Sequence, residues 1–123
     1  MKKKVVLLED DEAIREMIEY LLVDEQFDVS SYSRAAMFMR NLRNEKADLF
    51  LLDIMLADGN GIDICYKLKR SEDTRHIPII MMSAHYDLNI MENIPAEDFI
   101  KKPFDIDDFL WRVQKQLFKF AMP

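Results

Sequence analysis

Four short apolar runs, each ending in a polar or charged residue, constrain this chain more than any other feature. Val5-Val6-Leu7-Leu8 runs into Glu9-Asp10-Asp11, and Leu49-Phe50-Leu51-Leu52 runs into Asp53. Ile77-Pro78-Ile79-Ile80-Met81-Met82 runs into Ser83, and Asp98-Phe99-Ile100 runs into Lys101-Lys102-Pro103. Unbroken apolar runs of this length read as strands buried on both faces, the pattern of a parallel sheet covered by helices. A fifth, more polar run from Phe27 to Tyr32 reads as an edge strand.

Helical periods lie between the runs. Residues 12–24 carry Ala13, Ile14, Met17, Ile18, Leu21 and Leu22 on one stripe. Ser33 is the expected N-cap of a helix over 34–44. Ile62 to Arg70 is a third helix, Tyr86 to Asn93 is long enough only for a short fourth, and Asp105 to Phe120 is the last. In that last helix Ile106, Phe109, Leu110, Val113 and Leu117 face inward. Five βα units imply an α/β fold, a mostly parallel sheet between two helical layers. The expectation is one domain over 1–123 with no output domain.

The loop Ala57-Asp58-Gly59-Asn60-Gly61 holds both glycines of the chain, which predicts positive φ angles beside Asp53. Met81-Met82 reads as core filler. Trp111, Phe118 and Phe120 exceed the needs of one buried stripe and either close the core or form a docking patch.

Bulk properties exclude several function classes. The chain has 123 residues, a net charge of −6 and 33 % charged residues. That balance argues against direct nucleic-acid or membrane-surface binding, which needs a basic field. One cysteine, Cys65, rules out an internal disulfide. No run approaches the roughly 18 apolar residues of a membrane span, and Val5 to Leu8 is too short for a signal peptide. These features predict a cytoplasmic protein in a reducing compartment.

If the runs are parallel strands, their C-terminal ends share one edge, where ligands of open α/β sheets bind. Carboxylates gathered there repel one another and call for a cation, and hard oxygen donors such as Glu9, Asp10 and Asp53 suit Mg²⁺. Asp53 ends a strand just before the glycine loop, and a carboxylate can act as a nucleophile and become an aspartyl phosphate. Ser83 would hydrogen-bond a phosphoryl oxygen, and the Lys102 ammonium would pair with phosphate and carboxylate alike.

With these residues in this order, the sequence resembles a response-regulator receiver domain of two-component signalling, in its stand-alone form, over essentially its whole length. The strings that carry the resemblance are VVLLEDDEAIRE, DLFLLDIMLADGNGID, IPIIMMSAH and EDFIKKPFD. It implies a (βα)5 flavodoxin-like three-layer sandwich with strand order 2-1-3-4-5. It also implies that Asp53 is the phospho-acceptor, Asp10 a direct Mg²⁺ ligand and Glu9 an acid acting through water. Met55 would bind the metal through its backbone carbonyl, Ser83 would close onto the phosphoryl group, Lys102 would be the site lysine and Phe99 the aromatic switch. Met55 and His85 occupy positions that tune the lifetime of the aspartyl phosphate in the family. The partners implied are a sensor histidine kinase or histidine phosphotransfer protein and a downstream protein that the sequence does not name. Such a domain is a stoichiometric phospho-acceptor that catalyses its own phosphorylation and dephosphorylation, not an enzyme with turnover.

The chain departs from the family at Ala57, where many relatives have proline. Phe99 follows Ser83 by only 16 positions, about one helical turn short for the family, so the fourth helix is expected to be shortened. Three other functions use related parts. Haloacid-dehalogenase-like phosphatases usually carry a second Asp two residues after the nucleophile, where this chain has Met55. Flavin binding needs a Ser/Thr/Gly-rich anion cradle after the first strand, where this chain has Glu9-Asp10-Asp11. A pseudo-receiver would bind partners without phosphorylation.

Overall fold

The computed structural model describes residues 2–84 and 91–118. Five strands form one parallel sheet: β1 (Lys4–Leu8), β2 (Asp28–Tyr32), β3 (Leu49–Asp53), β4 (Ile79–Ser83) and β5 (Asp98–Lys101). Their order across the sheet is β2-β1-β3-β4-β5, so the polar run Asp28–Tyr32 takes an edge, as its composition predicts.

Successive strand residues point to opposite faces, and the apolar runs therefore serve two cores at once. On one face Val5, Leu7, Leu51, Ile80 and Met82 pack with Ile18 and Leu22 of α1 (Glu12–Asp24) and with Phe109 and Val113 of the final helix (Ile106–Phe118). On the other, Val6, Leu8, Phe50, Leu52 and Met81 pack with Phe38 of α2 (Ala35–Asn41) and with Ile64, Cys65 and Leu68 of α3 (Gly61–Arg70). Met81 and Met82 thus fill opposite cores.

Several local expectations are corrected. Ala13 and Met17 lie on the exposed side of α1, Met17 being 40 % exposed. The sheet accepts the narrower stripe of Ile14, Ile18, Leu21 and Leu22, because a helix laid on a sheet buries less than half its circumference. Ile106 is also exposed. Phe104 packs against the core beside it, its ring stacked on Phe109 at 4.8 Å between centroids. The second helix ends at Asn41 and continues as a single 3₁₀ turn, Leu42–Asn44.

Trp111 is exposed, with the Lys115 ammonium 5.0 Å above its ring, and Phe118 lies 6.3 Å from the Phe27 ring. Phe120 lies outside the described residues. So do His85 and most of the expected short helix from Tyr86, of which Met91 and Glu92 are helical. No helix among the described residues is long and apolar enough to cross a membrane.

Candidate functional site

Parallel register delivers the polar strand ends to one place. Leu8 pairs with Leu52, Asp53 with Met82, and Ser83 with Lys101. Glu9, Asp53 and Lys102 therefore leave β1, β3 and β5 at the same edge, with β4 lying between the last two. Carboxylate oxygens of Glu9, Asp10 and Asp53 all lie within 4.8 Å of one another. The Lys102 ammonium hydrogen-bonds Glu9 Oε1 and lies 3.1 Å from Asp53 Oδ2. The Lys102–Pro103 peptide bond is cis.

The surrounding backbone orients each acid. Glu9 donates its own N–H to the Tyr32 carbonyl at 3.0 Å, and Glu9 Oε2 accepts the Asp11 N–H at 3.2 Å. Asp53 Oδ1 accepts the Met55 N–H at 3.3 Å. The Arg15 guanidinium donates to the Glu9 carbonyl at 3.0 Å and to the Asp10 carbonyl at 3.4 Å, holding the turn between β1 and α1. Asp11 serves that helix as its N-cap, accepting the Ile14 N–H at 3.0 Å. Asp11 thus has the helix-terminal role that the dipole favours.

Burial dominates the electrostatics. Glu9 is wholly inaccessible to solvent and Asp53 nearly so, whereas Asp10 is half-buried. Desolvation pushes the Glu9 carboxyl above the ordinary glutamate range; Lys102 opposes this and Asp53 adds to it. For Lys102, burial pulls the pKa down, but the Glu9 hydrogen bond and the charges of Asp53 and Glu9 outweigh it and hold the ammonium above its usual value. Three carboxylates gather here and the Lys102 ammonium pairs with two of them, Glu9 and Asp53, so the cluster is short of positive charge. Its donor set is all oxygen, the chemistry that suits a hard divalent cation.

The remaining expected residues surround this cluster. Ser83 is half-buried, and its carbonyl accepts the Lys102 N–H at 2.8 Å, so the hydroxyl-bearing residue and the lysine are joined through the backbone. Phe99 pairs with Met81 across β4–β5 and is half-buried against the core on the α3 side. Met55 is 65 % exposed.

The glycine loop differs from its expectation. Neither glycine has positive φ. Gly61 is required by close approach instead: a Cβ there would lie 2.0 Å from the Asp53 carbonyl oxygen. Two residues that sequence reasoning did not single out also bear on the site. Arg15 carries a usable signal, lying one helical turn beyond the acidic run. Asp58 carries none, because its partners are 22 and 23 positions away.

The family model for the response regulator receiver domain matches residues 5–114. The chain belongs to that family. It is 35 % identical over 118 residues to the transcriptional regulatory protein GltR of Pseudomonas aeruginosa, covering 94 % of this chain and 49 % of that protein. The receiver chain thus spans about half the length of the curated relatives it matches. Among solved structures, it is similar to the non-phosphorylated HemR receiver domain of Leptospira biflexa, with a TM-score of 0.87 and 26 % identity over 99 % of this chain and 98 % of that one. The receiver domain of the sensor histidine kinase PA1611 of P. aeruginosa, with a magnesium ion coordinated in its active site cleft, shares the fold. Its TM-score is 0.85 at 22 % identity, covering 95 % of this chain and 98 % of that one.

Proposed function

We propose that Asp53 is the phospho-acceptor of this receiver domain, and that its phosphorylation state switches binding to another protein. The observation that carries the reading is the convergence of the Glu9, Asp10 and Asp53 carboxylates, two of them paired with the Lys102 ammonium, in a chain of this family. The domain acts as a stoichiometric acceptor rather than a turnover enzyme. Its donor is a histidine kinase or histidine phosphotransfer protein of the cytoplasm; its downstream partner is a protein.

Asp10 and Asp53 would hold Mg²⁺ directly, with the Met55 carbonyl beside them and Glu9 acting through water. The PA1611 receiver, which shares this fold, carries magnesium in its own cleft. When bound, the ion neutralises charge on the phosphoryl oxygens during transfer. An Asp53 carboxylate oxygen forms the new O–P bond as the P–N bond of the donor phosphohistidine breaks, and the electron pair leaves with the imidazole. Lys102, already paired with Asp53 and Glu9, would bind a phosphoryl oxygen. The Ser83 hydroxyl makes a second hydrogen bond to the phosphoryl group. Because the Ser83 carbonyl holds the Lys102 N–H, a shift of Ser83 reaches β5 and the Phe99 ring upon it. Met55, and His85 outside the described residues, tune the phosphate lifetime.

The test is intact-mass measurement after incubation with Mg²⁺ and a small acyl phosphate. The expected result is one added phosphoryl group, absent in Asp53→Ala and absent when Mg²⁺ is chelated. Addition that survives Asp53→Ala, or none in the native protein, overturns the reading.

A further inference from the structure

The loop after β3 is pinned at its base and, separately, at its tip. At the base, the Ile54 N–H donates to the Met82 carbonyl at 3.0 Å and the Gly61 N–H donates to the Ile54 carbonyl at 2.8 Å. Between them a two-stranded ribbon, Met55–Leu56 against Gly59–Asn60, projects from the sheet edge. At the tip, Asp58 reaches across to α2. Its Oδ1 accepts the Ala35 N–H at 2.8 Å, and its Oδ2 accepts the Ala36 N–H at 3.1 Å.

That contact replaces a cap the helix lacks. The residue at the N-cap of α2 is Arg34, whose side chain makes no capping bond, and the expected cap, Ser33, is not used. The first N–H groups of any helix have no partner inside it and need an outside acceptor. One carboxylate from a distant loop satisfies two of them, and those two bonds hold the Asp58 carboxyl below its ordinary range. Gly59 adds to the fit: a Cβ there would lie 3.7 Å from Ala35 Cβ. Leu56 and Ala35 pack against the same core.

We propose that Asp58 is a positioning residue for the Asp53 site: by capping α2 from the loop, it clamps the ribbon and so holds the Met55 backbone against the Asp53 carboxylate. The inference rests on the reading of Asp53 as phospho-acceptor. The physical basis is geometric. Met55 lies three residues from Asp58 and donates its N–H to Asp53 Oδ1. A ribbon released at its tip rocks about its base, and the Met55 peptide rocks with it. Coupling of this kind is reciprocal: ordering of the site by Mg²⁺ must also tighten the Asp58 cap.

The experiment compares Asp58→Ala and Asp58→Asn with the native protein. Amide exchange is followed by NMR at Ala35, Ala36 and Met55, the Mg²⁺ dissociation constant is measured by calorimetry, and the acyl-phosphate reaction is followed by mass. Asp58→Ala should speed exchange at Ala35 and Ala36 by about fivefold, the ratio a lost helix cap implies. It should also speed exchange at Met55, weaken Mg²⁺ binding and slow phosphorylation several-fold. Asp58→Asn keeps one acceptor oxygen and should fall between. Mg²⁺ should slow Ala35 and Ala36 exchange in the native protein and not in Asp58→Ala.

If Asp58→Ala loosens Ala35 and Ala36 but leaves Met55 exchange and Mg²⁺ affinity unchanged, Asp58 is only a helix cap and the proposal fails. If the native protein takes no phosphate, the function reading fails instead, while the Met55 and Mg²⁺ measurements still decide the role of Asp58. Asp58 is exposed, and Asp58→Asn, which preserves part of the cap, serves should Asp58→Ala not fold.

Discussion

Glu9 shows how far a residue's chemistry is set by neighbours remote in sequence. In the string Glu9-Asp10-Asp11 the three acids look alike. In the fold Glu9 is sealed beneath Lys102, Asp10 lines the cleft, and Asp11 caps α1. Only the last of these roles could be read locally, because capping is a three-residue interaction. The contact between Glu9 and Lys102 joins residues 93 positions apart. Burial raises the Glu9 pKa, with Asp53 adding to the effect and Lys102 opposing it. Folding therefore favours the protonated carboxyl. Its contribution to metal-free stability is full below the unfolded pKa of about 4.3 and is lost as pH rises through the folded value. A cation bound among these carboxylates must work against that proton. Mg²⁺ affinity should accordingly fall on acidification at a pH above the ordinary glutamate range. In Glu9→Gln the fall should move to lower pH, with overall affinity reduced. Calorimetric titrations from pH 8 down to pH 5 check this, and a native affinity that stays flat over that span would refute it.

At the scale of elements, the unbroken apolar runs were legible because a strand buried on both faces leaves no room for polar residues. Val5–Leu8 and Leu49–Leu52 are wholly buried, and the polar stretch Asp28–Tyr32 sits at the edge. Where two elements meet, the sequence was less informative. Ser33 has the right chemistry to cap α2, yet Asp58 does it from across the molecule, since local propensity cannot register a loop that folds back over 22 residues. The glycines were read as turn residues needing positive φ, and neither has it. Gly61 is fixed by steric contact with the peptide of Asp53, not by its φ angle. Gly61→Ala puts a Cβ where the Asp53 carbonyl stands, and one of the two backbones must move. The expected cost is about 1–3 kcal/mol, the usual range for overpacking, read from urea unfolding. Because the displaced peptide belongs to Asp53, the acyl-phosphate reaction should slow more than the stability loss alone explains. Ala at 61 with unchanged phosphorylation would mean that the strain is absorbed by α3.

For the whole molecule, the parallel sheet makes the site and also loads it with charge. Connections that return each strand in the same direction bring every C-terminal strand end to one edge, so Glu9, Asp10 and Asp53 meet there whatever their mutual repulsion. The convergence was foreseeable from strand direction alone. That Lys102 pairs with carboxylate follows from the same reading; which carboxylates it takes, Glu9 and Asp53, depends on how the chain leaves β5. Without a cation, three carboxylates crowd together and the Lys102 ammonium pairs with two of them, so part of the folding free energy goes to holding them together. Asp53→Asn removes one negative charge. The Asn oxygen can still accept the Met55 N–H, and Lys102 keeps Glu9 as its partner. Relief of like-charge repulsion should then exceed the loss of the 3.1 Å contact between Lys102 and Asp53. In metal-free buffer the thermal midpoint of Asp53→Asn should rise by about 2–8 °C, the shift that roughly 1 kcal/mol produces in domains from about 250 down to 60 residues. Added Mg²⁺ should stabilise the native protein more than the variant, narrowing or reversing the gap, because binding to the folded state alone adds stability by mass action. Melting curves of both proteins with and without chelator decide the matter. A variant midpoint equal to or below the native one in chelator would show that the Lys102 contact outweighs the repulsion among the acids.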